Sequence, residues 1–471
     1  MKDTFAENDP LSIIVNILEK ANYDKLASEV LDVFALMSNS IEQFNLISKL
    51  YLDIRDIEKT EKYALKVLSM TTSVEESYNA RANLAKMYNN INKPEKSLAN
   101  SNINKLVDPE NVDTQLEMVF SYYLLNKKSE AEIILRKLKG IEGELSEHHR
   151  NIVDFNLGTY DMEKGLLIKG LAGFLINIKK LELWFSSRTL DFKYWNGGLY
   201  PGQTLVMFLE GGGIGDEFIT VRWYDNLKNL GFNPIYYSQR PEIAEIFNRC
   251  GYKTITSDAE IPEGSLWTFA MECPLWLEVK PEEVLREKYL WPSDEARHRW
   301  AYIGQCSKIK IGVRWSGNKK NERDLHRAIS LSSIMTMLHS IFDNSNLEVE
   351  YYSLQIGDGS EELVNYPELI DLSSQIKSFD DTFAILEGLD FVISSCTSVL
   401  HASAIMGTRT LGLIPISAYF TWLSPILPGR ASRSSIFYGD NLELYRQVTP
   451  NSWDEPLNEI KEVLEAEYVR Q

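Results

Sequence analysis

Three short stretches hold side chains suited to chemistry on a phosphate-bearing substrate. The first is the turn Glu210-Gly211-Gly212-Gly213-Ile214-Gly215-Asp216-Glu217, set between an apolar run, Thr204 to Leu209, and a helical pattern from Phe218 to Leu230. Its glycines permit backbone shapes closed to other residues and let a ligand come close. Asp216 is a carboxylate suited to take a proton from an attacking hydroxyl. Asp216 and Glu217 equally complement the positive end of the helix they begin, a role that needs no substrate. The second stretch is the one concentrated basic segment of the chain, with Arg314, Lys319, Lys320, Arg323 and Arg327. Arginine meets a diphosphate with a paired fork. The third is Leu389 to Leu413, where Cys396, Thr397 and Ser398 separate the apolar run Phe391-Val392-Ile393 from a helical pattern ending at Gly407. Free N–H groups and the dipole of a helix start favour an anion, and Thr397 and Ser398 add hydroxyl donors. The plainer reading is that these hydroxyls cap the helix.

Strands and helices must present these turns at one edge. Thr204–Leu209, Ile309–Trp315, Leu347–Gln355, Phe391–Ile393 and Thr410–Ile414 read as buried parallel strands; helices alternate with them, which predicts α/β units. In open parallel sheets, ligands lie outside the carboxyl ends of the strands, where all three stretches fall. The glycine turn is not a dinucleotide fingerprint, because its spacing differs from G-x-G-x-x-G and no acidic residue closes the next strand. No D-x-D pair follows a strand, and the four cysteines form no C-x-x-C pair, so neither metal nor disulfide framework is expected. The pair Asp380-Asp381 reads as a helix cap.

From Pro10 to about Lys180 the chain lacks strand-like alternation. Tyr51, Tyr88 and Tyr122 recur at 37 and 34 residues, each near a helix end and followed by a polar turn; Leu157, Gly158 and Tyr160 continue the pattern. That period predicts helix-turn-helix repeats stacked into a solenoid similar to tetratricopeptide (TPR) repeats. Over 471 residues, 44% hydrophobic and 11% aromatic content is that of a globular protein. A formal charge of -18 argues against broad nucleic-acid binding. The acidic start, with Asp3, Glu7 and Asp9, is unlike a signal peptide, and no apolar run approaches a membrane span; a cytoplasmic protein is expected.

In one order, WNGGLYPGQTL, EGGGIGDE, IGVRWSGN with HRAISL, YYSLQ and LDFVISSCTSVLHASAIMG resemble the bacterial TPR glycosyltransferases, whose transferase half is similar to heptosyltransferases and distantly to O-linked N-acetylglucosamine transferases. The resemblance implies a GT-B fold of two Rossmann-like domains after the solenoid: 1–185 repeats, 186–300 acceptor side, 301–471 nucleotide-sugar donor side. It implies Asp216 as base, and Gly211, Gly212, Gly213 and Gly215 as its glycine loop. Asn318, Arg327, Gln355, Thr397, Ser398 and His401 are implied at the donor, where Arg314 of the basic segment and Cys396 of the turn are also expected. Many relatives carry Asp-Thr where this chain has Cys396-Thr397, so a carboxylate beside the phosphates is lost. The implied activity is inverting, metal-independent sugar transfer with no cofactor beyond the nucleotide sugar. The repeats would select the acceptor, a protein segment or a glycan such as lipopolysaccharide. A repeat scaffold whose transferase half is inactive, or a nucleic-acid base glycosyltransferase, are the alternatives.

Overall fold

The computed structural model describes residues 10–20, 23–175, 192–209, 212–280, 283–284, 287–305, 307–318, 324–343, 345–418, 420–424, 426–427, 430–431 and 433–469. By internal contacts the chain divides into two compact units, Met1–Ile141 and Glu142–Gln471.

The first unit is helical. Its elements are α1 (Pro10–Lys20), α2 (Asp24–Met37), α3 (Ile41–Asp53), α4 (Ile57–Met70), α5 (Tyr78–Asn90), α6 (Pro94–Val107), α7 (Val112–Leu124) and α8 (Lys128–Gly140). Local signals set the starts: Ser40 and Gln43 form a capping box on α3, Asp56 caps α4, Asn111 caps α7, and Pro94 opens α6. The turns within pairs are copies of one another. The N–H of Asp56 bonds the carbonyl of Tyr51, Lys93 that of Tyr88, and Lys127 that of Tyr122. The residue just before each, Arg55, Asn92 and Asn126, is left-handed, with φ of 61°, 54° and 57°. This is the Schellman ending, and it accounts for the tyrosine spacing: each tyrosine supplies the carbonyl that closes the turn. Tyr51 and Tyr63 stack 5.5 Å apart, within a core that includes Phe44, Leu84 and Tyr88.

The second unit opens with α9 (Glu147–Glu163) and α10 (Leu167–Phe174), joined by the same turn at Gly165, φ 82°. Leu167, Leu171 and Leu175 join the core of the sheets rather than that of the first unit. Among the described residues between Pro10 and Leu175 every regular element is a helix; Ile176 to Lys180 lie outside the described residues.

Two sheets follow. The first holds β1 (Lys193–Tyr194), β2 (Thr204–Phe208), β3 (Asn233–Tyr237), β4 (Thr254–Ile255) and β5 (Leu266–Phe269), all parallel, in the order β1-β5-β2-β3-β4. The second holds β6 (Ile309–Arg314), β7 (Val349–Ser353), β8 (Leu369–Asp371), β9 (Phe391–Ser395) and β10 (Arg409–Ile414). A small antiparallel pair, β11 (Ile426–Leu427) and β12 (Arg430–Ala431), precedes β13 (Ser434–Ser435) and β14 (Gly439–Arg446). The second sheet runs β13-β14-β10-β9-β6-β7-β8, parallel except for β13 on β14. Without β13 this is the doubly wound Rossmann order, and the chain reverses direction across the sheet between β6 and β9. In the first sheet the same reversal lies between β2 and β5. The central strands are buried on both faces, as β9 shows from Phe391 through Ser395. One expected element differs: the helix read from Phe218 to Leu230 is two short helices, Ile214–Thr220 and Trp223–Asn229. Arg222 lies at the junction and its Nε donates back to the Ile219 carbonyl. Among the described residues no helix is long and apolar enough to cross a membrane.

Candidate active site

The reversal points of the two sheets border one cleft of about 820 Å³ within the second unit. From the first sheet, the turn after β2 brings Gly213, Gly215 and Asp216. From the second, Arg314 ends β6, and Cys396, Thr397 and Ser398 follow β9; Asn318, Arg327 and His401 join them. Asn318 is exposed. Gly212 adjoins the cleft through its carbonyl, which accepts from Arg240 at 3.0 Å. Gly211, Lys319, Lys320 and Arg323 lie outside the described residues.

The two strand-to-helix turns touch. A Cβ placed on Gly215 would fall 2.5 Å from Cδ2 of His401, so only glycine lets the halves meet there. His401 is buried; its Nδ1 pairs with the Tyr438 hydroxyl at 2.6 Å, and its ring lies 4.3 Å from that of Trp422. Burial, with help from the Arg222 charge, pulls its pKa down to about 3, so the imidazole is neutral at physiological pH.

Asp216 is the third residue of its helix, and its Oδ2 accepts the Gly213 N–H at 2.7 Å. The carboxylate therefore closes the start of its own helix while bordering the cleft. Burial raises its pKa, opposed by that amide bond and by the charge of Arg240. Its field reaches Cys396 and Tyr438 in the other half. Arg240 pairs with Glu217 at 2.5 Å and braces the glycine turn, while Glu217 also accepts from Ser238.

The opposite turn is built differently. Thr397 is the N-cap of the helix Ser398–Met406, yet its side chain makes no capping bond. The nearest partner of its hydroxyl is Ser394 at 3.3 Å. The helix start is open, unlike the reading in which these hydroxyls merely cap. Arg327 donates to the Cys396 carbonyl at 3.0 Å, which aims a guanidinium at this turn. Arg314 donates to the Leu354 carbonyl at 2.9 Å, and its buried Nε has no partner. Burial and the neighbouring Arg327 charge pull Arg314 down to about 10, so it stays a cation facing another cation. An anion between them relieves that repulsion. Burial pushes the Cys396 thiol up; its sulfur accepts the Trp422 indole N–H at 2.9 Å. It is a packed thiol, not a replacement carboxylate.

Gln355 is the residue the structure does not bring to the cleft. It is fully buried, its Oε1 accepts from the N–H groups of Trp315 and Ser316, and its Nε2 donates to the carbonyls of Ser316 and Asp358. It fixes the chain beyond β6 instead. Arg240, Phe155, Thr421 and Trp422 border the cleft and were not anticipated. Arg240 alone had a usable signal, lying just past the carboxyl end of β3. Among the described residues no group of three His, Cys, Asp or Glu side chains gathers to hold a metal ion.

No protein-family model and no curated protein matches the chain. Among solved structures it is similar to a glycosyl transferase family 9 protein from Veillonella parvula, at 10% identity and TM-score 0.35, over 58% of this chain and 92% of that one. It is similar to a mutant O-GlcNAc transferase of Thermobaculum terrenum, at 10% identity and TM-score 0.35, over 97% and 89%. It is also similar to the ADP-heptose lps heptosyltransferase II of E. coli, at 12% identity and TM-score 0.34, over 56% and 99%. These are the kinds of protein the sequence motifs resemble.

Proposed function

We propose that the chain is a glycosyltransferase that moves a sugar from a nucleotide-sugar donor to an acceptor hydroxyl, with inversion and without a metal. The observation that carries this reading is the open start of the helix Ser398–Met406, flanked by Arg314 and Arg327, across one cleft from the Asp216 carboxylate. A diphosphate fits the first, since unpaired N–H groups and two guanidinium groups converge there. A proton acceptor fits the second. The acceptor hydroxyl attacks the anomeric carbon as Asp216 takes its proton. The bond from that carbon to the phosphate oxygen breaks on the opposite face, and the diphosphate keeps the electron pair. The helix start and the arginines stabilise that growing charge. Thr397, Ser398 and Asn318 line the donor side, and neutral His401 holds the two turns in register.

The helical repeats select the acceptor, a protein segment laid along a TPR-like solenoid. The recurring turns at Arg55, Asn92, Asn126 and Gly165 support a repeat architecture. Free Cys250, Cys273 and Cys396 suit a reducing cytoplasm.

The test is release of nucleoside diphosphate from UDP-, GDP- and ADP-sugars in the presence of protein and glycan acceptors, with and without chelator. The reading expects one nucleotide to be released, an inverted anomer in the product, and equal rates in chelator. No release from any donor would refute transfer; loss in chelator with rescue by magnesium or manganese would refute metal independence.

A further inference from the structure

We propose that Thr421 is the residue that reads a hydroxyl of the transferred sugar; this rests on the donor site proposed above. After β10 the chain passes Pro415 and crosses the carboxyl edge of the second sheet to a single 3-10 turn, Phe420–Trp422. That turn is firmly held. The Trp422 indole lies against His401 and donates to the Cys396 sulfur, and its carbonyl accepts from Arg446 at 2.5 Å. Phe420 packs edge-on to Phe437 at 6.1 Å.

Between these anchors Thr421 is 1% exposed, borders the cleft, and its Oγ1 has no hydrogen-bond partner. A buried hydroxyl without a partner is costly in a folded protein, and one that faces a binding cleft is completed by the ligand. A hydroxyl both donates and accepts, which matches another hydroxyl better than it matches a phosphate already served by guanidinium groups. The surroundings agree. Phe155 and Ile214 border the same cleft and offer an apolar wall to the C–H face of a sugar ring. The position agrees too: β10 pairs directly with β9, so the segment after it lies beside the turn Cys396–Ser398, where a sugar joined to the diphosphate must sit.

Isothermal titration of the full chain with UDP, GDP and ADP first identifies the nucleotide, and then its glucose, galactose, mannose and N-acetylglucosamine conjugates are titrated. In the parent, at least one conjugate is expected to bind more tightly than the bare diphosphate. Thr421→Val should lower that conjugate's affinity about tenfold or more and leave the bare diphosphate unchanged. Thr421→Ser should retain the parent preference; if Thr421→Val fails to fold, Thr421→Ala serves the same comparison. The inference is overturned if the conjugate binds the variant as tightly as the parent, if diphosphate and conjugate weaken equally, or if no conjugate gains over its diphosphate. Binding of no nucleotide at all would refute the donor site itself, and this inference with it.

Discussion

Two strand-turn-helix units face each other across the cleft, and they treat their helix starts in opposite ways. After β2, Asp216 folds back to accept the Gly213 N–H, so that seven-residue helix closes its own N-terminus with a carboxylate. After β9, Thr397 makes no capping bond, and the nine-residue helix is left open beside Arg314 and Arg327. An anion is repelled by the first turn and welcomed by the second. On the proposed reading, similar backbone topology serves a proton acceptor on one side and an anion seat on the other. The difference lies in which side chain occupies the third helical position: Asp216 in one turn, Leu400 in the other.

The largest expected effect breaks the first turn. Asp216→Asn keeps an oxygen for the Gly213 N–H but cannot accept a proton, so turnover should fall by about 10²–10⁴ while diphosphate affinity stays as in the parent. Steady-state rates beside titration would show it, and unchanged turnover removes the base role. Because burial raises the Asp216 pKa, the acid limb of kcat/KM in the parent should lie above the usual aspartate range, with activity lost as pH falls through it.

The second turn is broken by Arg327→Met. A charge-assisted bond is worth about 1.5–3 kcal/mol, so diphosphate affinity should fall on the order of tenfold to a hundredfold. Thr397→Val, which removes one hydroxyl and keeps the shape, should cost about tenfold or somewhat more. If Thr397→Val binds as tightly as the parent, the hydroxyl has no part in holding phosphate.

A smaller effect sharpens the contact between the turns. The pKa of His401 is lowered from 6.5 to about 3 in the folded chain, so below pH 6.5 only the unfolded chain takes up its proton. Stability is therefore lost as pH falls from 6.5 towards 3, by about 1.4 kcal/mol per unit from this group. In His401→Asn, thermal midpoints should fall less steeply over pH 6.5 to 5; equal slopes would mean that His401 already exchanges protons with solvent.

Much of this was legible because it rests on local pattern. The apolar run of β9, its small polar turn and Gly407, left-handed at φ 76°, mark one α/β unit by composition alone. The repeats showed through Tyr51, Tyr88 and Tyr122 because the carbonyl of each closes a Schellman turn. Arg314 and Arg327 stood out as basic residues beyond a strand in an acidic chain. What pattern does not encode is where a side chain at a strand end turns. Gln355 occupies the expected position, yet it bonds inward to main chain rather than outward to the cleft. Phe155, Thr421 and Trp422 come from a helix and a loop distant in sequence, and only the fold brings them to the cleft. The break at Arg222 is likewise tertiary, since its guanidinium leaves the helix pattern to reach the Phe437 carbonyl and the Tyr289 hydroxyl.

The contrast between the turns is tested most directly by hydrogen–deuterium exchange of the full chain with and without the nucleoside diphosphate that binds. Phosphate on the open helix start should slow exchange in peptides spanning Thr397 to Leu400, while peptides spanning Gly213 to Asp216, already closed by the carboxylate, keep their rates. Protection at Gly213 to Asp216 with none at Thr397 to Leu400 would contradict it and move the anion seat to the other sheet.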